Sequence, residues 1–292
     1  MKYLQNFKLF ESSQSDSLTK EQQLFLKKFA FGVLSVNQTT GLVDIEGGLD
    51  CCDKKLQSLS GLKFGTVTRS FDCEKNNLTS LKGAPKEVGW TFRCHENKLT
   101  SLEGSPQKVG RDFICYENQL TNLVGAPPKV EADFLCSDNL LTTLEGAPET
   151  VGEDFICNGN QLTTLAGAPQ TVGKNFWCFR NPLISLEGAP QTVEGEFWCS
   201  AFRLRSGRWN LEGWLEVLQT GSLEAQKLIL TLPKLNADYW NSEISSNPLG
   251  TLLILASSWD GLPEDIRGGI KIPSGLQDDF DNFLDLERAG VY

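Results

Sequence analysis

Two residue types in this sequence could do chemistry by their nature: nine cysteines and a single histidine, His95. Thiols at suitable spacing form disulfides, hold zinc or act as nucleophiles, and an imidazole can ligate a metal or move a proton. Their spacing argues for none of these uses. Cys73, Cys94, Cys115, Cys136, Cys157, Cys178 and Cys199 recur every 21 residues, Cys51 precedes them by 22, and Cys52 adjoins it. Zinc wants Cys-x-x-Cys pairs or histidines converging on one point, and one histidine cannot supply them. After Cys199 no cysteine remains to act as a nucleophile. His95 has no Ser/Asp partner at a recognisable spacing, and there is no glycine-rich phosphate loop. The cysteines are therefore read as small hydrophobes stacked in a column, in a reducing compartment such as bacterial cytoplasm. No catalytic residue, metal or cofactor is predicted.

What spaces the cysteines is a repeat. From Phe71 to about Glu196 the pattern Phe-x-Cys-x-x-Asn-x-Leu-Thr-x-Leu-x-Gly-Ala-Pro-x-x-Val returns with a 21-residue period, and an irregular copy opens at Leu49. Such a period means a solenoid. Phe and Cys alternate with variable residues, so each coil begins with a short strand whose odd positions face inward. Asn76, Asn97, Asn118, Asn139, Asn160 and Asn181 follow three residues after a cysteine, where a side-chain amide can satisfy backbone groups as the chain turns; in register they form a ladder. Leucines from Leu78 and Leu81 to Leu183 and Leu186 fill the core. Gly83 and Pro85, through to Gly188 and Pro190, bend the chain, and Val88 to Val193 return it to the core.

The string Val-x-x-x-Phe-x-Cys-x-x-Asn-x-Leu-Thr-x-Leu is similar to the leucine-rich-repeat consensus, with Phe and Cys where that family usually has Leu. With Gly-Ala-Pro added, the unit resembles the leucine-rich-repeat-like proteins of tailed bacteriophages and some bacteria. The resemblance covers about half the chain. It implies a curved parallel β stack with a concave binding face and names no ligand.

Charge and hydropathy bound the rest. A net charge of −10 and a pI near 4.8 argue against nucleic-acid and anionic-membrane partners. No apolar run approaches the roughly 18 to 20 residues of a membrane span. Residues 1–16 are read as a flexible or leader segment. Tyr3, Leu4, Phe7 and Phe10 suit a loosely docked amphipathic start; alternatively, the opening resembles the prohead-targeting leader of T-even-type phages. That resemblance implies cleavage after Glu11 in Leu9-Phe10-Glu11. Residues 17–48 read as an N-terminal cap: a helix from Thr19 to Phe31 opened by the capping box Thr19-Lys20-Glu21-Gln22 and closed at Gly32, then strands at Val33–Val36 and Leu42–Ile45. The solenoid spans 49–205. A helical C-terminal domain, 206–292, has candidate helices at 211–219, 223–231, 237–245, 250–258 and 275–288, with N-caps at Ser222 and Ser274 and breaks at Gly221, Pro233, Pro248 and Gly261. In the last, Leu276, Phe280, Phe283, Leu284 and Leu286 form the apolar stripe.

Function is sought at the variable outward positions. The residue after each Phe runs Asp50, Asp72, Arg93, Ile114, Leu135, Ile156, Trp177, Trp198, and the residue after each Cys runs Cys52, Glu74, His95, Tyr116, Ser137, Asn158, Phe179, Ser200. The face begins charged and ends apolar. Ile114, Tyr116, Leu135, Ile156, Trp177, Phe179 and Trp198 are the candidate partner-binding residues, over rungs spanning about 19 Å. For Trp177, Phe179 and Trp198 the competing reading is burial beneath the C-terminal region. Arg203, Arg205 and Arg208 could hold a phosphate or pair with carboxylates. The leading expectation is a non-enzymatic protein–protein interaction module of bacteriophage origin, acting in the host cytoplasm. A prohead-targeted virion component and an antagonist of a host defence factor are the alternatives.

Overall fold

The computed structural model describes residues 18–289 apart from 38, 60, 62, 211–212, 215–216, 219–220, 230, 233–236 and 263. The leader reading with Glu11, part of the 211–219 helix and the break at Pro233 lie outside the described residues. Helix α1 (Lys20–Phe29) leads into strand β1 (Ala30–Val36), which pairs antiparallel with β2 (Val43–Asp50). A parallel β-solenoid of about seven turns follows, and the chain ends in helices. Each regular coil contributes two strands of two residues, such as Glu87–Val88 and Phe92–Arg93. Each strand meets its own counterpart 21 residues on, Phe92 opposite Phe113 and Val88 opposite Val109.

That register makes the core a set of columns of identical side chains. The rings from Phe71 to Phe197 lie 5.2 to 5.8 Å apart, centroid to centroid. From Phe113 onward they are tilted by no more than 13° from one ring to the next, a spacing typical of favourable aromatic pairs. Beside them the eight inward cysteines are fully buried. Burial pushes the Cys51 thiol up to about 12 and those of Cys73, Cys94, Cys136 and Cys178 well above the ordinary range, so they stay protonated. As neutral S–H groups they donate weakly to carbonyls of the next coil, Cys73 Sγ to Arg93 O at 3.2 Å.

The asparagine ladder is more tightly used than its sequence position suggests. Asn139 Nδ2 donates to the carbonyls of Cys136 and Ser137 in its own coil and of Cys115 in the preceding one, all at 3.1 to 3.2 Å. Its Oδ1 accepts from Leu120 N, also of the preceding coil, at 3.1 Å. Asn97, Asn118, Asn160 and Asn181 repeat this pattern, and Asn76 ties the first coil in the same manner. To aim the amide inward, the residue before each asparagine turns left-handed. Lys75, Glu96, Glu117, Asp138 and Arg180 have φ between 50° and 57°, and only Gly159 (φ 67°) is a residue for which that conformation is easy. On the opposite bend Gly125 sits at φ 101°, and a Cβ there would lie 2.5 Å from the Leu102 carbonyl carbon, so glycine is required.

The ends depart from expectation in instructive ways. Thr19 and Gln22 form the reciprocal capping box, but α1 stops at Phe29. Gly32 does not end the helix; it lies within β1 at φ 112°, where a Cβ would come 2.1 Å from Glu46 O. Both strands are longer than predicted because β2 continues straight into the first coil, Leu49 pairing with Phe71. At the far end Arg203–Leu204 folds back antiparallel on Phe197–Trp198, and Trp209 stacks on Phe197 at 3.8 Å and 14° while its Nε1 donates to Pro190 O at 3.0 Å. Beyond lie α2 (Leu223–Ile229), α3 (Ala237–Ser246), α4 (Pro248–Ser258), α5 (Glu264–Gly269) and α6 (Gln277–Arg288). Ser222 Oγ accepts from Ala225 N at the start of α2, as its cap reading requires. Pro248 marks the break between α3 and α4 as read, and does so as the first residue of α4, where a proline forfeits no helical hydrogen bond. Ser274 lies inside a 3₁₀ turn (Ser274–Leu276) ahead of α6 and not at the turn's cap position, which is Pro273, and the six residues of α5 are too few to show a helical period in the sequence. In α6, Phe280 and Leu284 are buried, whereas Leu286 is exposed and falls outside the stripe.

Asn139→Ala leaves the Leu120 N–H without its acceptor in a dry interior, while the Cys115, Cys136 and Ser137 carbonyls each keep a second donor, from Asn118, Asn160 and the Glu117 N–H. It should cost roughly 1 to 3 kcal/mol, read as lost amide-exchange protection centred on the coils of Asn118 and Asn139. Cys136→Asp places an unpaired charge in the thiol column and should melt the central coils, whereas Cys136→Ala should leave them folded. Folded central coils in the aspartate variant would mean that the column is not dry.

Candidate functional site

The outward row of the Phe strands is continuous. Ile114, Leu135, Ile156, Trp177 and Trp198 face one another rung by rung in parallel register, and each is half-buried. Tyr116 and Phe179, in the row after the cysteines, are half-buried too. At the C-terminal end the rings interlock. Phe179 lies 4.4 Å from Trp198, Trp177 meets Trp198 edge-on at 5.9 Å, and Trp177 and Phe179 are 6.5 Å apart. The Arg203 guanidinium sits 4.7 Å over the Trp198 ring and is held there by Glu196 at 2.6 Å. Arg203 thus pairs with a carboxylate. The Trp177 Nε1 is buried, with no acceptor among the described residues.

Trp209 and Phe202 go to the interior end of the solenoid, against Phe197, and not onto this outward face. Among the described residues, the ring contacts of Trp177, Phe179 and Trp198 on their outward side are with one another and with Arg203. Tyr116 is the member that stands apart. Its ring stacks on His95 at 4.2 Å and 30°, so it belongs to the charged half of the face.

That charged half is a closed set of pairs. Arg93 donates to Asp72 at 2.7 Å, and Lys75 approaches Glu96 at 3.4 Å. Glu74 lies between the thiol of Cys52, which donates to one carboxylate oxygen at 3.3 Å, and His95 Nε2, 3.1 Å from the other. The carboxylate separates thiol from imidazole, so no Cys–His pair forms. Desolvation, with the hydrogen bond to Glu74, pushes the Cys52 thiol up to about 11, opposite to the shift a nucleophile needs. His95 is only 5% exposed, and its pKa is lowered because desolvation outweighs the attraction of Glu74 and Glu96. It is therefore neutral at pH 7, donating through Nε2–H, and its buried Nδ1 has no hydrogen-bond partner among the described residues. The signal for this cluster was present in the row Cys52, Glu74, His95, Tyr116, since successive residues of one row must touch.

A second ladder escaped sequence reading. Asp112, Asp133 and Asp154, each just before a core Phe, accept the backbone N–H of the equivalent residue one coil on, at 3.4, 3.0 and 3.0 Å, and Asn175 does the same for Glu196 at 2.9 Å. Among the described residues no group of three or more His, Cys, Asp or Glu side chains is arranged to hold a metal, and no helix is long and apolar enough to cross a membrane. An open cleft of about 420 Å³ lies between α1 and the first coil, lined by Phe25, Leu56, Leu59 and Phe64. Of its polar lining residues Thr19, Glu21, Gln22 and Ser58, Thr19 and Gln22 are engaged in the helix cap. No protein-family model matches the sequence, and no curated protein matches it.

Because the His95 pKa is held below its unfolded value of 6.5, acidification charges the unfolded chain before the folded one. Stability is complete above pH 6.5 and falls as pH drops below it. Melting curves from about pH 8 to about pH 5.5 should show a decline in the wild type that is smaller in His95→Gln; equal declines would remove His95 as the cause.

Proposed function

We propose that this protein is a non-catalytic binding module that recognises a protein partner through the outward rows of its solenoid. The observation that carries the reading is the in-register strip of half-exposed apolar residues from Ile114 to Trp198, ending in the Trp177, Phe179, Trp198 and Arg203 cluster. Tryptophan and arginine anchor interfaces more than other residue types, and their rings here are held by neighbours, so little side-chain entropy is lost on contact. The charged pairs at the other end of the same face supply a polar rim. Resemblance of the repeat to leucine-rich-repeat-like proteins of tailed phages and bacteria supports the same reading, and a column of free thiols suits a partner met in a reducing compartment such as bacterial cytoplasm.

Affinity purification of the tagged protein from infected or expressing bacterial cells tests this. A stoichiometric partner should be captured, lost with Trp177→Ala or Ile156→Arg, and kept with a charge change on the opposite bend such as Glu145→Lys. Circular dichroism should find all three variants folded with similar melting temperatures. Head proteins among the captured chains would make the partner a virion component; a host protein would make it a cellular target. A partner equally well retained by the Trp177 and Ile156 variants would remove the face from the interaction.

A further inference from the structure

The two ends of the solenoid are closed differently. At the C-terminal end the folded-back strand is two residues long and is followed by the Trp209 lid. At the N-terminal end β1 is seven residues long, and among the described residues it pairs with β2 alone. The direction of its hydrogen bonds follows from β2. Val43, Ile45, Gly47 and Leu49 of β2 bond to the 63–70 segment on their other side, so its even residues face β1. In the observed register Phe31, Val33 and Ser35 bond to Gly48, Glu46 and Asp44, an alternation that Asn37 continues by donating to Leu42 O at 2.9 Å. The N–H and C=O groups of Gly32 and Leu34 therefore point off the edge, where no described residue meets them.

Edges of this kind are normally blunted with lysine, proline or an inward-pointing charge. Residues 30–36 read Ala-Phe-Gly-Val-Leu-Ser-Val, with no charge and no proline, and Phe31 and Val33 are 37% and 47% exposed. The strand is also complementary to itself. Placed antiparallel to a second copy with Val33 opposite Val33, Gly32 of each chain lies opposite Leu34 of the other. The orphan groups of both residues, in both chains, are then consumed in four hydrogen bonds. Val33 meets its own counterpart at the non-hydrogen-bonded position, and each Phe31 lies across from the other chain's Ser35. Because the pairing is isologous it closes at two copies and does not propagate.

We propose that β1 is a dimerisation strand through which two copies of this chain join antiparallel, end to end, about a two-fold axis at Val33. This surface is distinct from the outward rows, so either can fail without the other. Sedimentation of the full chain should give a concentration-dependent dimer in the micromolar range. Val33→Lys, which sets two ammonium groups together on the axis, should give a monomer with an unchanged melting temperature. The register has its own test. Directly opposed non-hydrogen-bonded residues have Cα atoms about 4.5 Å apart, within reach of a disulfide. Val33→Cys should therefore cross-link to a covalent dimer on mild oxidation, while Ser35→Cys, which faces Phe31, should not. A wild type that is monomeric throughout, a dimer that survives Val33→Lys, or cross-linking through Ser35→Cys in place of Val33→Cys would each overturn the proposal.

Discussion

In-register parallel stacking governs this molecule: every residue of a coil rests on its counterpart 21 positions away. With coils about 4.8 Å apart, the interior cannot be filled by complementary shapes taken from different parts of the chain. A side chain that stacks well on itself is needed at each inward position. Phenylalanine does so through its ring face, cysteine through its small volume, and asparagine through an amide that donates within its own coil and across to the preceding one. The asparagine carries the strictest demand: its Oδ1 is the acceptor for a buried N–H of the preceding coil, and each cysteine carbonyl is shared by the amides of two successive coils.

The same rule explains how local strain is tolerated. Non-glycine residues at φ near 50° are costly singly, yet one precedes the asparagine in coil after coil because the amide network leaves the backbone no alternative there. Stability is shared between coils, so a defect in one is felt by its neighbours. It also places the liabilities at the ends, where a coil has a neighbour on one side only. The C-terminal end meets this with a stacked tryptophan and the helices that follow, the N-terminal end with α1 over the core and β1 along the sheet.

Outward positions escape the rule, and there the chain changes character along its length. The first rungs hold charges that neutralise one another across coils, Asp72 with Arg93 and Glu74 with His95; the later ones hold aliphatic and aromatic side chains that interlock. The Cys52 thiol and the His95 imidazole, the two groups that might have been reactive, are each tied to Glu74, which together with desolvation keeps the one protonated and orients the other. Their chemistry is thereby directed to holding the face in shape.

The 21-residue period by itself determined which residues face inward, the columns of Phe71 to Phe197 and of the cysteines, the asparagine ladder from Asn76 to Asn181, and the two outward rows. Once the period is known, the residues that touch are the equivalent ones, so contacts can be read from spacing alone. Only the tertiary structure decided what lies between non-equivalent segments. It sent Trp209 to the interior end and left Trp177, Phe179 and Trp198 half-exposed, drew Gly32 into a strand instead of a helix stop, and turned the backbone groups of Gly32 and Leu34 away from β2, where no described residue meets them. Those outcomes depend on how a chain that has left the repeat folds back on it, and no periodicity encodes that path.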